Sequence, residues 1–314
     1  MKIAFLNKYQ NKVYRGAETF VFELSKRLSR DNEVDVISDI NYFEILKKKY
    51  DFIIPTNGRW QVLTTRIITW LRGSKMIVSG QSGIGWDDKV NLLSFPDAFV
   101  ALTSKGKDWA KKFNPLVRVT QIPNGVDLSK FTFKGETFKV ELKKPIILAV
   151  GAFTEQKRLN LTIKAVAKLK NASLLIVGGG GDLKEKITDL GIKTLGKDKF
   201  FVLTVLFDQM PEVYRSADVF TLPSASSEAF GNVLVEAMAT NLPVVATNDP
   251  IRHEIVGEAG ILIDPENTEE YAAALQKALE INWGEKSRKQ AEKFSWDKIA
   301  LKYEELFLSL TKRK

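Results

Sequence analysis

Cysteine is absent from this chain of 314 residues, and histidine occurs once, as His253. Without thiols there can be no disulfide framework, thiolate zinc site, cysteine nucleophile or paired-cysteine redox centre. A single histidine excludes a histidine-rich metal cluster and would force any serine–histidine–aspartate triad through His253. Long apolar runs are also missing. The longest, residues 200–207 (FFVLTVLF), falls far below the ~20 residues that span a bilayer. The opening MKIAFLNK turns polar too quickly for a signal peptide. These absences favour a cytoplasmic chain, free or peripheral at the inner face of a membrane.

What is present is a basic excess, 47 Lys and Arg against 38 Asp and Glu, a net of +9. All of it falls in residues 1–140, which hold 23 basic and 14 acidic side chains, whereas residues 141–314 hold 24 of each. Such asymmetry turns one half of the chain toward a polyanion, an anionic membrane or an acidic substrate. A generally basic surface explains the same counts equally well until motifs are weighed.

At roughly 100–200 residues per domain the length predicts two domains, and a hydrophobic content of 44% supplies a core for each. Short apolar runs of strand length occur at 2–6, 34–38, 52–55, 76–79, 98–102 and 117–123. They recur at 146–151, 173–177, 218–223, 242–247 and 260–264. Between them lie stripes at helical spacing, such as Ala17, Phe20, Val21, Leu24 and Leu28, and the segments 233–239 and 268–279. Two more helices are expected from residue 285 onward. Strands alternating with helices imply an α/β chain with parallel sheets and right-handed crossovers. The rhythm breaks at residues 125–145, so the boundary is placed near 140. That gives a first doubly wound domain at 1–140, a second at 141–295 and a terminal helix within 296–314. Ligands of such sheets bind beyond the carboxyl ends of the strands, which predicts a cleft between facing loops.

The strongest chemical signal is the segment 226–239, SSEAFGNVLVEAMA. A strand ending at Pro223 gives way to a polar loop and then to a helix starting near Gly231. A helix N-terminus offers unpaired N–H groups and the positive end of a dipole, and a glycine there lets a phosphate approach the backbone. Glu228 precedes this helix. Glu236 lies inside it, flanked by Val235, Ala237 and Met238 rather than on a polar face. Read bare, Glu228 is a capping acid and Glu236 a solvated helix residue.

Together with 122–131 (IPNGVDLSKF), 149–166 (AVGAFTEQKRLNLTIKAV), 217–247 and 254–265, this segment resembles the retaining GT-B glycosyltransferases, especially glycosyltransferase family 4. The resemblance implies two Rossmann-like domains facing across a cleft, and a sugar donor in the form of a nucleoside diphosphate sugar. By position it implies that Lys157 neutralises the donor diphosphate, that Glu228 contacts the donor sugar and that Glu236 holds the ribose. The backbone of Phe230, Gly231 and Asn232 would cradle the distal phosphate. Arg158 would assist Lys157. In the first domain, Arg15 and Gly16 match the turn that faces the diphosphate, Gly16 through its N–H and Arg15 as an added cation. The family's first-domain histidine has no counterpart in 78–86 (VSGQSGIGW), where Gln81 or Ser82 would contact sugar or acceptor instead. An arginine common in the family is replaced by Ala152. The glycine run 178–181 departs from the dinucleotide fingerprint and is given a minor role. His253 is read as a surface residue at a helix start.

The resemblance further implies that no metal or other cofactor is required, because protein cations and helix dipoles take the metal's place. It assigns the first domain to the acceptor, either lipid-linked or a polysaccharide. Segment 59–75 interleaves Trp60 and Trp70 with Arg59, Arg66 and Arg72, which suits the interface of an anionic bilayer. An amphipathic helix packed on the sheet explains the pattern as well. No recognised nucleic-acid motif accompanies the charge. The expected activity is therefore transfer of a hexose-type sugar with retention. The alternatives are a nucleotide-sugar epimerase of the same fold and a catalytically inactive binding or scaffold protein.

Overall fold

Residues 1–10, 12 and 16–312 are described by the computed structural model of the chain. They form two units, one of Met1–Gly125 with the segment from Phe294 onward, the other of Val126–Lys293.

Unit 1 contains β1 (Lys2–Leu6), β2 (Glu33–Ile37), β3 (Phe52–Pro55), β4 (Lys75–Ser79), β5 (Ala98–Ala101) and β6 (Val119–Gln121). They lie in the order β2-β1-β3-β4-β5-β6, all parallel. Unit 2 contains β7 (Ile146–Val150), β8 (Ser173–Val177), β9 (Phe200–Leu203), β10 (Val219–Leu222), β11 (Val244–Thr247) and β12 (Gly260–Ile263). Their order is β12-β11-β10-β7-β8-β9, again all parallel. The doubly wound α/β expectation therefore holds for both units.

Burial follows position in the sheet. The inner strands β3, β5, β7, β8, β10 and β11 are buried at every residue, because helices cover both faces. Of the four edge strands, β9 and β12 each have one buried residue and β2 and β6 have none. Strand β1 illustrates how alternating side chains feed two layers. Ile3 and Phe5 join a core with Phe20 and Leu24, while Ala4 and Leu6 join one with Ile45, Tyr50 and Ile68. Strand β9 comes from the apolar run at 200–207, which the sequence reading weighed only as a membrane span.

The helix Trp296–Thr311 belongs to the core of unit 1. Trp296, Ile299, Tyr303, Phe307 and Leu310 pack with Phe5, Phe20 and Phe52, and the Phe52 and Phe307 rings lie 4.7 Å apart. A side chain at Gly125 would come within 2.7 Å of the Trp296 ring, so only glycine permits this approach.

The division between units falls at Gly125–Val126 rather than near 140. Residues 126–145 contain no strand or helix, which is why the apolar rhythm breaks, yet they are stitched to unit 2. Arg288 donates to the carbonyls of Leu128 and Phe131. Arg215 donates to those of Thr132 and Glu136, Lys130 pairs with Asp208 at 2.6 Å, and the buried Phe131 ring meets Tyr214 and Phe207. With the boundary there, unit 1 holds 25 basic and 15 acidic residues and unit 2 holds 22 and 23. The charge asymmetry is thus sharper than the sequence halves suggested.

Candidate functional site

Counting outward from β7, unit 2 runs β7-β8-β9 one way and β10-β11-β12 the other. The chain reverses between β7 and β10, and the carboxyl ends of two such strands are where open α/β sheets bind ligands. The loops leaving these two strands carry Lys157 and Glu228, and they are joined by a backbone bond from Ala225 N–H to the Gln156 carbonyl at 2.8 Å.

Lys157 ends a short 3-10 turn, Glu155–Lys157. Its aliphatic stem passes over Gly151, where an added Cβ would stand 3.3 Å from it. The ammonium donates to the Glu228 carboxylate, forming an ion pair in which each side chain retains 20% exposure. The structure thus brings these two predicted residues together. Gly178 and Gly181 pack beneath the same loop. A Cβ on Gly178 would fall 1.9 Å from the Gly151 carbonyl oxygen, and one on Gly181 would fall 2.3 Å from that of Phe153. The glycine run therefore allows backbone to lie on backbone, and Phe153 N–H bonds the Gly180 carbonyl.

Arg158 plays a different part from the one expected of it. It sits in the left-handed region at φ 47. Its guanidinium donates to the carbonyls of Pro223 (2.7 Å) and Ser224 (3.0 Å), to Thr247 Oγ1 and to Glu266. It braces the end of β10 rather than presenting its charge beside Lys157. Arg252, which sequence reasoning missed, completes the brace. It is fully buried, pairs with Asp249 at 2.6 Å and donates to Ser224 Oγ (2.6 Å) and the Ala225 carbonyl (3.0 Å). The Asp-Pro start of helix Pro250–Val256, where Asp249 caps the N–H groups of Ile251 and Arg252, was the available signal.

Gly231 caps the helix Asn232–Ala239 at φ 88, a conformation that favours glycine, and a Cβ there would crowd Leu234 at 3.1 Å. The Phe230 side chain is buried. Glu236 is buried on this helix, and Tyr214 Oη donates to its Oε2 at 2.8 Å. Burial pushes the Glu236 carboxyl up to about 7, against the opposing effects of the Tyr214 hydrogen bond and the Lys130 charge. Between its unfolded and folded pKa values the native state binds the extra proton, so Glu236 favours folding at low pH. That contribution, roughly 3 kcal/mol at most by linkage, fades as pH rises through about 7. Glu236→Gln is expected to lose less stability than the parent chain between pH 5 and 8, followed by urea unfolding; parallel pH profiles would count against this assignment.

In unit 1, Gly16 opens the helix Gly16–Leu28, and Arg15 lies outside the described residues. The Gln81 amide is engaged in a reciprocal pair with Asn124 at 2.9 and 3.0 Å and also donates to Ser79, while Ser82 is exposed. Arg59, Trp60, Arg66, Trp70 and Arg72 fall on one helix, Arg59–Arg72. His253 is exposed on the helix Pro250–Val256 and is bonded to Asn248 at 2.8 Å. Among the described residues, no three His, Cys, Asp or Glu side chains gather so as to hold a metal ion, and no helix is long and apolar enough to cross a membrane.

Comparison with known proteins extends this picture. The structure of Anabaena Alr3699/HepE in complex with UDP and glucose matches with a TM-score of 0.82 at 17% identity, over 98% of this chain and 100% of that one. Two α/β units with parallel sheets, in the GT-B fold, are common to both. The sulfoquinovosyl transferase SQD2 of Arabidopsis thaliana is 31% identical over 55% of this chain and 36% of its own length. A Campylobacter jejuni protein is 31% identical over 67% of this chain and 61% of its own length. It is named as an N-acetylgalactosamine-N,N'-diacetylbacillosaminyl-diphospho-undecaprenol 4-alpha-N-acetylgalactosaminyltransferase. The chain thus spans less than two thirds of either of these curated relatives. Residues 132–295, more than half of the chain, match the family model described as Glycosyl transferases group 1. These residues enclose β7 to β12 with Lys157, Glu228 and Glu236, and the chain belongs to the glycosyl transferases group 1 family.

Proposed function

We propose that the protein moves a sugar from a nucleoside diphosphate sugar, with retention of anomeric configuration, to a lipid-linked or polysaccharide acceptor. The observation that carries this reading is the Lys157–Glu228 pair at the β7/β10 switch, beside the N-terminus of helix Asn232–Ala239. A donor diphosphate reaching this point would share Lys157 with Glu228, freeing the carboxylate to accept from sugar hydroxyls. Glu236 would accept from the ribose. The names of relatives are consistent with this chemistry: Anabaena Alr3699/HepE was solved with UDP and glucose, and the Campylobacter relative is named for a diphospho-undecaprenol acceptor.

In the reaction, the bond between the anomeric carbon and the diphosphate oxygen breaks as the acceptor oxygen bonds to that carbon from the same face. The acceptor proton passes to the departing phosphate, so no protein nucleophile is needed. Negative charge gathers on the leaving group, where Lys157 and the N–H groups around Gly231 stabilise it without a metal ion. A thermal-shift screen of nucleoside diphosphates and their sugars tests the donor half. A ligand at ~100 times its dissociation constant stabilises by ~2.7 kcal/mol, so no shift with any of them overturns the reading. Labelled donor with acceptor extracts tests the rest: a product of unchanged anomeric configuration, formed in the presence of a chelator, supports it, whereas epimer formed from donor alone replaces it with the epimerase.

A further inference from the structure

The helix Arg59–Arg72 is packed inside out. Its buried residues are Gln61, Val62, Thr65, Ile68 and Thr69, so three of the five facing the sheet are polar. Local bonds satisfy them. Thr65 Oγ1 donates to the Gln61 carbonyl at 2.7 Å, Thr69 Oγ1 to the Arg66 carbonyl at 2.9 Å, and the Gln61 amide to Asn57 at 3.1 Å. The opposite face carries Trp60, Leu63, Ile67, Trp70 and Leu71. Trp60 is 80% exposed, Ile67 56%, Trp70 66% and Leu71 69%. At 100° per residue these five fall within an arc of about 100°. A helix that only covered a sheet would present its apolar stripe inward and its threonines outward. An outward stripe of this size needs a partner.

Cations surround the stripe. Arg59 and Arg72 are exposed at the two ends of the helix, and the neighbouring helix Tyr42–Lys47, where Phe43 is also exposed, ends at Lys47 and runs on into Lys48 and Lys49. The Arg66 guanidinium lies over the Trp70 ring at 4.9 Å and pairs with Asp97 at 2.7 Å. Beside it, Arg66, Lys75 and Arg118 line a surface depression that contains one acid, Asp97. These groups belong to unit 1, which carries the chain's whole basic excess. The helix has 14 residues, too few to span a bilayer but enough to lie along its surface.

We infer that this face docks on an anionic lipid bilayer, with Trp60, Ile67, Trp70 and Leu71 seated among the headgroups and the flanking Arg and Lys side chains set against lipid phosphates. Tryptophan at both ends of the stripe suits the boundary between headgroup and acyl chain, and the basic rim matches an anionic leaflet. The surface lies wholly in unit 1 and is independent of the donor site in unit 2, so either reading can fail while the other stands.

The test uses the full chain with vesicles and no nucleotide. Co-sedimentation is measured with phosphatidylcholine vesicles and with vesicles in which about a third of the lipid is phosphatidylglycerol. The parent chain is expected to bind the anionic vesicles and to be weakened by salt. A Trp60→Ser/Ile67→Ser/Trp70→Ser variant is expected to lose at least about tenfold in binding. Its melting temperature and nucleotide-induced shift should be unchanged, because all three side chains are exposed. Equal binding by parent and variant overturns the inference. So does an absence of binding to anionic vesicles, or self-association of the parent in light scattering that the variant abolishes without any effect on vesicle binding.

Discussion

Lys157→Ala is expected to lower kcat by ~10²–10³-fold at saturating donor, the cost of removing a preorganised donor aimed at developing charge. The reason is where the cation sits. It reaches the β7/β10 switch from a loop shaped by Gly151, and its ammonium is held by Glu228. In the proposed reaction a charge so placed would interact more strongly with the departing diphosphate than with the intact donor, so kcat should fall more than KM rises. Both side chains are on loops and partly exposed, so the ion pair contributes about 1 kcal/mol or less to folding. Lys157→Ala should therefore melt close to the parent while losing turnover. Adding Glu228→Ala to it should cost less than Glu228→Ala alone, because the two groups act as one unit. Unchanged kcat in Lys157→Ala would remove that residue from the chemistry.

Arg252→Met carries the largest expected effect on stability, about 3–5 kcal/mol, the usual consequence of deleting one partner of a buried ion pair. The guanidinium is completely buried. Its loss would leave Asp249 without its cation and the Ser224 hydroxyl without a donor, and the Ala225 carbonyl would keep only the Glu228 N–H. Arg252→Lys should recover only part, because an ammonium cannot reproduce the planar fork that reaches Asp249 and the 224–225 loop together. Urea unfolding of the three proteins reads the difference. A change below about 1 kcal/mol in Arg252→Met would show that the brace contributes little.

Most strands were legible in the sequence because each is an apolar run of strand length bounded by Gly, Pro or a charge. β9 escaped notice because its run continues apolar to Phe207, past the point where the strand ends at Leu203. Lys157 and Glu228 were visible through their places after strand ends, and the topology explains why these two loops meet. Arg158 and Arg252 show the limit. An arginine in a loop or at a helix start reads as a free cation, and only tertiary structure reveals that carbonyls of residues 223–225, just after β10, have taken up both guanidinium groups. Helix Arg59–Arg72 shows another. A helical period establishes that two faces differ in polarity but not which of them turns inward, and here Gln61, Thr65 and Thr69 do. The domain boundary was misplaced for a related reason. Residues 126–145 lack periodicity, but their backbone carbonyls are bound by side chains distant in sequence, Arg215 and Arg288.

The route of the chain also sets an order of assembly on the ribosome. Unit 2 occupies a continuous stretch, Val126–Lys293, so every side chain of its core has been synthesised before Trp296 emerges. Unit 1 is begun first, yet it lacks one wall of its core until Trp296, Tyr303, Phe307 and Leu310 arrive. Domains generally fold as units during synthesis, N-terminal first. Here the second-encoded unit can close while the first still exposes Phe5, Phe20 and Phe52. Nascent unit 1 therefore leaves apolar core surface uncovered for longer than unit 2 does.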